Sequence, residues 1–399
     1  MTTQPIQPPA RTLMGPGPSD VPPSVLEAMA KQTIGHLDPA FIEVMDAIKN
    51  LLRYAFQTDN RLTMPVSGPG TAGMETCISN LVEPGDTVVI VENGVFGQRM
   101  KAMAERCRAN VVYVEEPWGR AIRPEVLDET LGTHPEASIV AFVHSETSTG
   151  ALSDAETLVD IAHQHDALAI VDAVTSLGGV PVMVDEWDID ALYTGSQKCL
   201  SCTPGLSPIS LNGRAVEHIR TRSTPVQSWF LDLSLVMDYW GGEGGRSYHH
   251  TAPINALYGL HESLRRLHEE GLEAAWTRHR HHHEALKAGL AELGLEYIVP
   301  EGERIPQLNA VTVPEGIDEV AVRHTLLHDH QLEIGAGLGD MAGAIWRIGL
   351  MGYSCRAANV RRCLQAIGET LQAHGLDVEP DAAVAAADEQ LSARQAASA

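Results

Sequence analysis

Lysine is scarce in this 399-residue chain: of 28 basic residues only five are lysine, at positions 31, 49, 101, 198 and 287, and the other 23 are arginine. Arginine serves wherever a generic positive charge will do, so a lysine set among small polar residues needs its own explanation. Lys198, in "TGSQKCLSCTPGLS", is such a residue. Positive charge as a whole is also short, with 52 Asp and Glu giving a net charge of -24. That balance argues against non-specific attachment to nucleic acid or to anionic membrane, since both would be repelled. No apolar run approaches the roughly 20 residues a membrane-spanning helix needs. The opening "MTTQPIQPPARTL" has neither the charged nor the apolar region of a secretion signal. A cytoplasmic protein with no membrane and no nucleic-acid partner is the expectation. Cysteine is confined to six scattered positions, 77, 107, 199, 202, 355 and 363; in a long chain without a secretion signal this favours free thiols over a disulfide framework.

What is present is ordinary globular material, 44% hydrophobic and 20% charged, in a chain long enough for two domains. From about residue 60 to 210, short apolar segments ("LTMPV", "DTVVIVE", "NVVYVEE", "SIVAFVHS", "LAIVDAV", "IDALYTG") alternate with helical patterns such as "FGQRMKAMAERC". Strands rich in β-branched residues and separated by helices imply an α/β fold with a mostly parallel sheet covered on both faces. In such sheets ligands sit beyond the carboxyl ends of the strands. Four divisions are expected: an extended Pro- and Gly-rich arm over 1–20, a large domain over 21–270, a smaller C-terminal α+β domain over 271–376, and a loosely ordered alanine-rich, acidic tail over 377–399.

Three features of the large domain carry chemistry. "VSGPGTAGMET" places Gly68, Gly70 and Gly73 between a strand and a helix, where backbone N–H groups and the helix dipole suit a phosphate. The same spacing is G-x-G-x-x-G, and Glu92 ends the next strand 19 residues after Gly73. A nicotinamide-dependent oxidoreductase, with Glu92 on a ribose, is therefore a rival reading. Asp172 ends the strand "LAIVD"; it is either a cap for the following segment or the partner of a protonated ring nitrogen. Lys198 follows 26 residues later, after the next strand, so two successive strands deliver an acid and an amine to one edge of the sheet. An amine desolvated there has a lowered pKa and can form a Schiff base with an aldehyde. A nicotinamide enzyme would leave that pair unexplained.

In register along the chain lie "LMGPGPSDVPP", "VSGPGTAGMET", "NGVFGQR", "HSETSTGAL", "IVDAVTSLGG", "YTGSQKCLSCTPGLSPIS", "SYHHTAP", "IGAGLG" and "WRIGLMG". With these motifs, from about residue 13 to 375, the sequence resembles the class V, fold-type I pyridoxal-phosphate aminotransferases, most closely the alanine–glyoxylate (serine–pyruvate) group. The resemblance implies a large domain with a mostly parallel seven-stranded-type sheet, and pyridoxal 5'-phosphate held as a Schiff base on Lys198 with Asp172 at its ring nitrogen. Val174 and Phe96 would face the two sides of the ring, Gly70, Thr71 and Gln197 would meet the phosphate, and Thr147 would lie near ring and substrate. Tyr248 and Thr251 would reach the phosphate of a neighbouring subunit, making an obligatory homodimer with active sites at the interface. Arg347 would grip the carboxylate of a small amino acid or 2-oxo acid, with Gly15 approaching it through its backbone.

The chain departs from the animal alanine–glyoxylate enzymes at Phe96, where they have Trp, at Pro69-Gly70-Thr71, where they have Ser-Gly-His, and at Cys199 and Cys202, where they have Ala. Stacking survives the first change; the second alters a phosphate donor and leaves the amino donor open between alanine, serine and a less usual amine such as ureidoglycine or an aminophosphonate. A class V lyase of the desulfurase type would want a histidine at the Phe96 position. Cys199 and Cys202 have redox or zinc spacing without a second pair, and are expected to be packing residues. His279 and His283 stand at i, i+4 without an evident third ligand, so no metal site is expected.

Overall fold

The structure is a computed structural model that describes residues 5–241 and 246–395. Residues 1–4 of the expected arm and 396–399 of the expected tail lie outside the described residues.

Seven strands form the main sheet. Across it the order is Leu62–Val66, Ser207–Leu211, Ala191–Tyr193, Leu168–Asp172, Ala137–Val143, Thr87–Glu92 and Asn110–Glu115. Ser207–Leu211 runs antiparallel to both of its neighbours and every other pairing is parallel. The central strands are buried throughout, which is why "IVAFV" and "LAIVD" read as continuous apolar runs. Because six strands point the same way, the residues following Val66, Glu92, Val143, Asp172 and Tyr193 emerge on one side of the sheet. All the chemistry-bearing loops start there.

Two long helices, Ile254–Glu270 and Leu272–Glu292, meet at Gly271 and lead out of this layer. Beyond them a three-stranded antiparallel sheet places Ile345–Gly349 between Leu308–Thr312 and Gly335–Ala336. A second core forms around it, with Trp346, Ile348, Leu286, Leu290, Leu364 and Ile367 all buried. The arm joins the two cores. Thr12–Leu13 pairs with Leu332–Glu333, and the Met14 carbonyl accepts the Gly349 N–H at 2.7 Å. Five residues on, the Ser19 hydroxyl donates to the Lys198 carbonyl at 2.9 Å.

The alanine-rich segment after residue 377 is not loose. Pro380–Gln395 is a helix whose Ala383, Ala387 and Leu391 are buried in the second core. Their spacing of four puts them on one helical face, and alanine favours helix strongly, but its small side chains make a weak amphipathic signal. Gly289 leaves the room for this docking: a Cβ there would lie 2.7 Å from the Ala383 carbonyl oxygen. Ending the chain after Glu379 should therefore lower stability by about 2 kcal/mol or more, the order expected for exposing a buried leucine and its neighbours. Urea unfolding measures this, and an unchanged midpoint would mean the helix does not dock in solution.

Candidate active site

Lys198 and Asp172 are brought together at the carboxyl edge of the sheet. Asp172 closes its strand directly opposite Tyr193 and beside Val143. It is 3% exposed, and its oxygens accept the Tyr193 hydroxyl at 2.6 Å and the Val174 N–H at 2.8 Å. Burial pushes its pKa up to about 6 against those donors and the nearby charges of Lys198 and Arg99. A positive charge placed against this carboxylate would restore its ionised form.

Lys198 is 7% exposed. Its ammonium donates to the Pro16 carbonyl of the arm. Gly17, at φ +105°, passes so close that a Cβ would lie 2.5 Å from Nζ and 2.7 Å from Cδ, so only glycine fits this crossing. Burial, with the nearby Arg347 charge acting in the same direction, lowers the lysine to about 8 against the opposing charges of Cys199, Asp172 and Glu146. At neutral pH such an amine is still mostly protonated, but its neutral, nucleophilic form is far more abundant than for an ordinary lysine near 10.5.

The helix Gly70–Leu81 starts beside this pair. Its N-cap residue, Pro69, has no side-chain cap; the Ala72 N–H turns back to the Pro69 carbonyl at 2.7 Å, while among the described residues the Gly70 and Thr71 N–H groups have no hydrogen-bond partner. A Cβ at Gly70 would press within 3.3 Å of Val174 and 3.6 Å of the Gly195 Cα. Thr71 accepts a hydrogen bond from Arg99 at 3.0 Å, and the Arg99 guanidinium lies 4.9 Å over the half-buried Phe96 ring. The Gln197 Oε1 is buried without a hydrogen-bond partner. Among the described residues, two unpartnered N–H groups at a helix start, a carboxylate with no cation in contact and a buried amine held by a carbonyl are the groups that a phosphorylated pyridine aldehyde needs, and they fit it.

Arg347, in the middle strand of the small sheet, is 5% exposed. Its Nε donates to the Ala336 carbonyl at 2.7 Å and its Nη1 to the Thr147 carbonyl at 3.1 Å. Three of its five N–H groups remain for a carboxylate. Burial lowers it to about 10, with the Glu146 charge acting in the opposite direction, so it stays charged at neutral pH. Gly15 backs onto the same strand, where its carbonyl would collide with any Cβ at Gly349. Thr147 is buried and its hydroxyl pairs with that of Thr175.

Tyr248 and Thr251 stand apart. Their hydroxyls are 3.4 Å from each other, Tyr248 is 60% exposed, and among the described residues neither hydrogen-bonds to the group around Lys198. Sequence reasoning missed Tyr193, Arg99, Glu146 and Gly17. Tyr193 could have been found from its place at the end of the strand before Lys198; Arg99, Glu146 and Gly17 lie inside the motifs "NGVFGQR", "HSETSTGAL" and "LMGPGPSDVPP", which marked the segments without assigning these residues a role.

Three competing readings lose their support. The Glu92 carboxylate is already used by the Tyr113 hydroxyl at 2.8 Å and the Trp118 Nε1 at 2.6 Å, so it is not free for a ribose. His279 accepts the Gly352 N–H through Nε2, and His283 bonds Asn309, so each is a packing residue. Burial pushes Cys199 up to about 12 and Cys202 to about 11, which keeps both thiols protonated and unreactive.

Residues 12–358 match the family described as aminotransferase class-V. The chain is 40% identical over 398 residues to the (S)-ureidoglycine–glyoxylate transaminase of Bacillus subtilis, covering 95% of each chain. It is equally 40% identical, over 382 residues, to the alanine–glyoxylate aminotransferase of Drosophila melanogaster, covering 95% of this chain and 96% of that one. A solved alanine–glyoxylate aminotransferase from Nostoc sp. superposes with a TM-score of 0.91 at 46% identity, over 93% of this chain and 98% of the other.

Two outcomes are expected in the ligand-free chain. Borohydride-trapped labelling of Lys198 by an aldehyde should be half-maximal near pH 8; labelling that rises only in the ordinary lysine range, near 10.5, would contradict the buried setting. The sign for stability follows: between those two values the unfolded chain binds the additional proton, so the lysine's contribution makes the fold more stable as pH rises. The Cys199→Ala, Cys202→Ala double variant should give the same labelling profile, and a displaced or abolished profile would restore a role for the thiols.

Proposed function

This chain belongs to the aminotransferase class-V family, with its fold-type I architecture, and on that premise we propose that it moves the amino group of a small amino acid, alanine or serine, to glyoxylate or pyruvate in a ping-pong cycle. The observation that carries the proposal is the convergence of Lys198, Asp172 and Arg347, from two sheets, on one site. Pyridoxal phosphate, when bound, supplies the aldehyde that takes up the amine and a conjugated ring that accepts the Cα electrons.

The protein's own groups do the rest. Asp172 holds the ring nitrogen protonated, because a buried carboxylate is most stable facing a positive charge. Lys198 would hold the cofactor's aldehyde carbon through Nζ and, as a free amine, would take the Cα proton on Nζ and pass it to that same carbon; its lowered pKa matches that task. Arg347 uses its three remaining N–H groups to orient the substrate carboxylate, which fixes the Cα–H bond relative to Lys198. Phe96 and Val174 flank the ring, Gly70, Thr71 and Gln197 receive the phosphate, and Thr147 and Gly15 line the substrate side. The exposed Tyr248, with Trp229 at 63% and Phe230 at 40% exposure, supports a homodimer in which Tyr248 and Thr251 complete the partner's phosphate site.

(S)-Ureidoglycine as donor is the second reading, favoured by the Bacillus relative at the same identity as the Drosophila one. Both keep glyoxylate as acceptor. Mixing the pyridoxal-phosphate-loaded enzyme with alanine, serine or ureidoglycine singly, and following conversion of the cofactor to its pyridoxamine form, ranks the donors. Alanine or serine should convert it within seconds to minutes; no conversion by any α-amino donor would sink the aminotransferase reading. Lys198→Ala should lose the half-reaction by at least about a thousandfold. Arg347→Ala should lower kcat/KM about a hundredfold by leaving the substrate carboxylate unpaired.

A further inference from the structure

Glu146 is a fully buried carboxyl that the proposed chemistry does not use. It ends the short strand Ser145–Glu146, which follows Ala137–Val143 and pairs antiparallel with Ala151–Leu152, and its contacts run to a neighbouring element. Its Oε1 accepts the Ser148 N–H at 2.9 Å and the Ser148 hydroxyl at 2.5 Å, and its Oε2 accepts the Phe96 N–H at 3.2 Å. The Ser148 hydroxyl in turn accepts the Val95 N–H at 3.1 Å. Val95 and Phe96 are the first two residues of the helix Val95–Arg106, whose N-cap is Gly94 and has no side chain with which to cap it. The orphan donors of that helix are thus met from a different loop. Gly94 leaves the necessary room, since a Cβ there would run into the Glu146 side chain.

The helix so capped holds two residues that face the cofactor site. Phe96 lies under the Arg99 guanidinium, and Arg99 donates to Thr71 at the start of the helix Gly70–Leu81. Glu146, Phe96, Arg99 and Thr71 therefore form a continuous chain of contacts from the loop of Thr147 to the helix start that receives a phosphate. We infer that Glu146 is a positioning residue, which caps the helix Val95–Arg106 from beyond the end of the neighbouring strand and so sets Phe96 and Arg99 against the ring and phosphate of the cofactor.

The inference rests on the pyridoxal-phosphate reading above. Burial, with the Asp172 charge acting in the same direction, pushes Glu146 up to about 7 against the pull of the Ser148 and Phe96 donors. A carboxyl is thus kept in the interior at a cost that the three donated hydrogen bonds offset.

The test is cofactor binding, which does not depend on turnover. Glu146→Ala should raise the Kd for pyridoxal phosphate about tenfold and change the visible circular dichroism of the bound ring. Glu146→Gln keeps the volume and one acceptor oxygen and should fall between Ala and wild type. If Glu146 acts through the helix, Glu146→Ala added to Phe96→Ala should weaken binding by less than the product of the two single effects. Should Glu146→Ala fail to fold, Glu146→Gln with Phe96→Ala serves the same cycle. Variants that lose thermal stability but keep the wild-type Kd and dichroism, or fully multiplicative effects in the cycle, would overturn the inference alone. A wild-type chain that takes up no pyridoxal phosphate would sink the proposed function, and this inference with it.

Discussion

An amine held 7% exposed against a backbone carbonyl is the constraint around which this protein is arranged. Desolvation alone would drive such a group toward the surface or toward a carboxylate. Here neither happens, because the arm crosses directly over it: Pro16 supplies the carbonyl, Gly17 the clearance, and Ser19 a bond to the lysine's own backbone. The arm in turn is held by the small sheet through Met14 and Gly349. Burying Lys198 therefore requires both cores to be assembled, and the same docking brings Arg347 to the far side of the site. One contact surface sets the lysine's acidity and the distance between the proton-moving amine and the carboxylate-binding guanidinium.

Those groups address atoms that every α-amino acid possesses. In the proposed reaction Arg347 would meet the carboxylate, Lys198 the Cα–H, and Asp172 only the ring. Alanine and ureidoglycine present these atoms alike, and so relatives acting on either share the same framework at the same identity. Selection between donors accordingly belongs to contacts with the substituent on Cα, which none of these three groups addresses.

The sheet and its reactive edge were legible because buried parallel strands leave continuous β-branched runs and because chemistry gathers at their carboxyl ends. Lys198 stood out through the scarcity of lysine, and Asp172 through its place one strand earlier. Ser207–Leu211 was harder to see: "SPISL" has two serines and a proline in five residues, since it is buried by position in the sheet more than by its own composition. The C-terminal helix was misread because alanines spaced by four give docking without a strong apolar stripe. Glu146 and Gly17 lay inside motifs that stood out, yet their roles could not be read. A carboxyl that caps a helix some 50 residues earlier, and a glycine that exists to let a lysine 181 residues away lie beneath it, have meaning only once the chain is folded. Local pattern records what a residue does for its own element, and these two serve an element elsewhere; long-range service of that kind is the part of an active site that a single sequence hides.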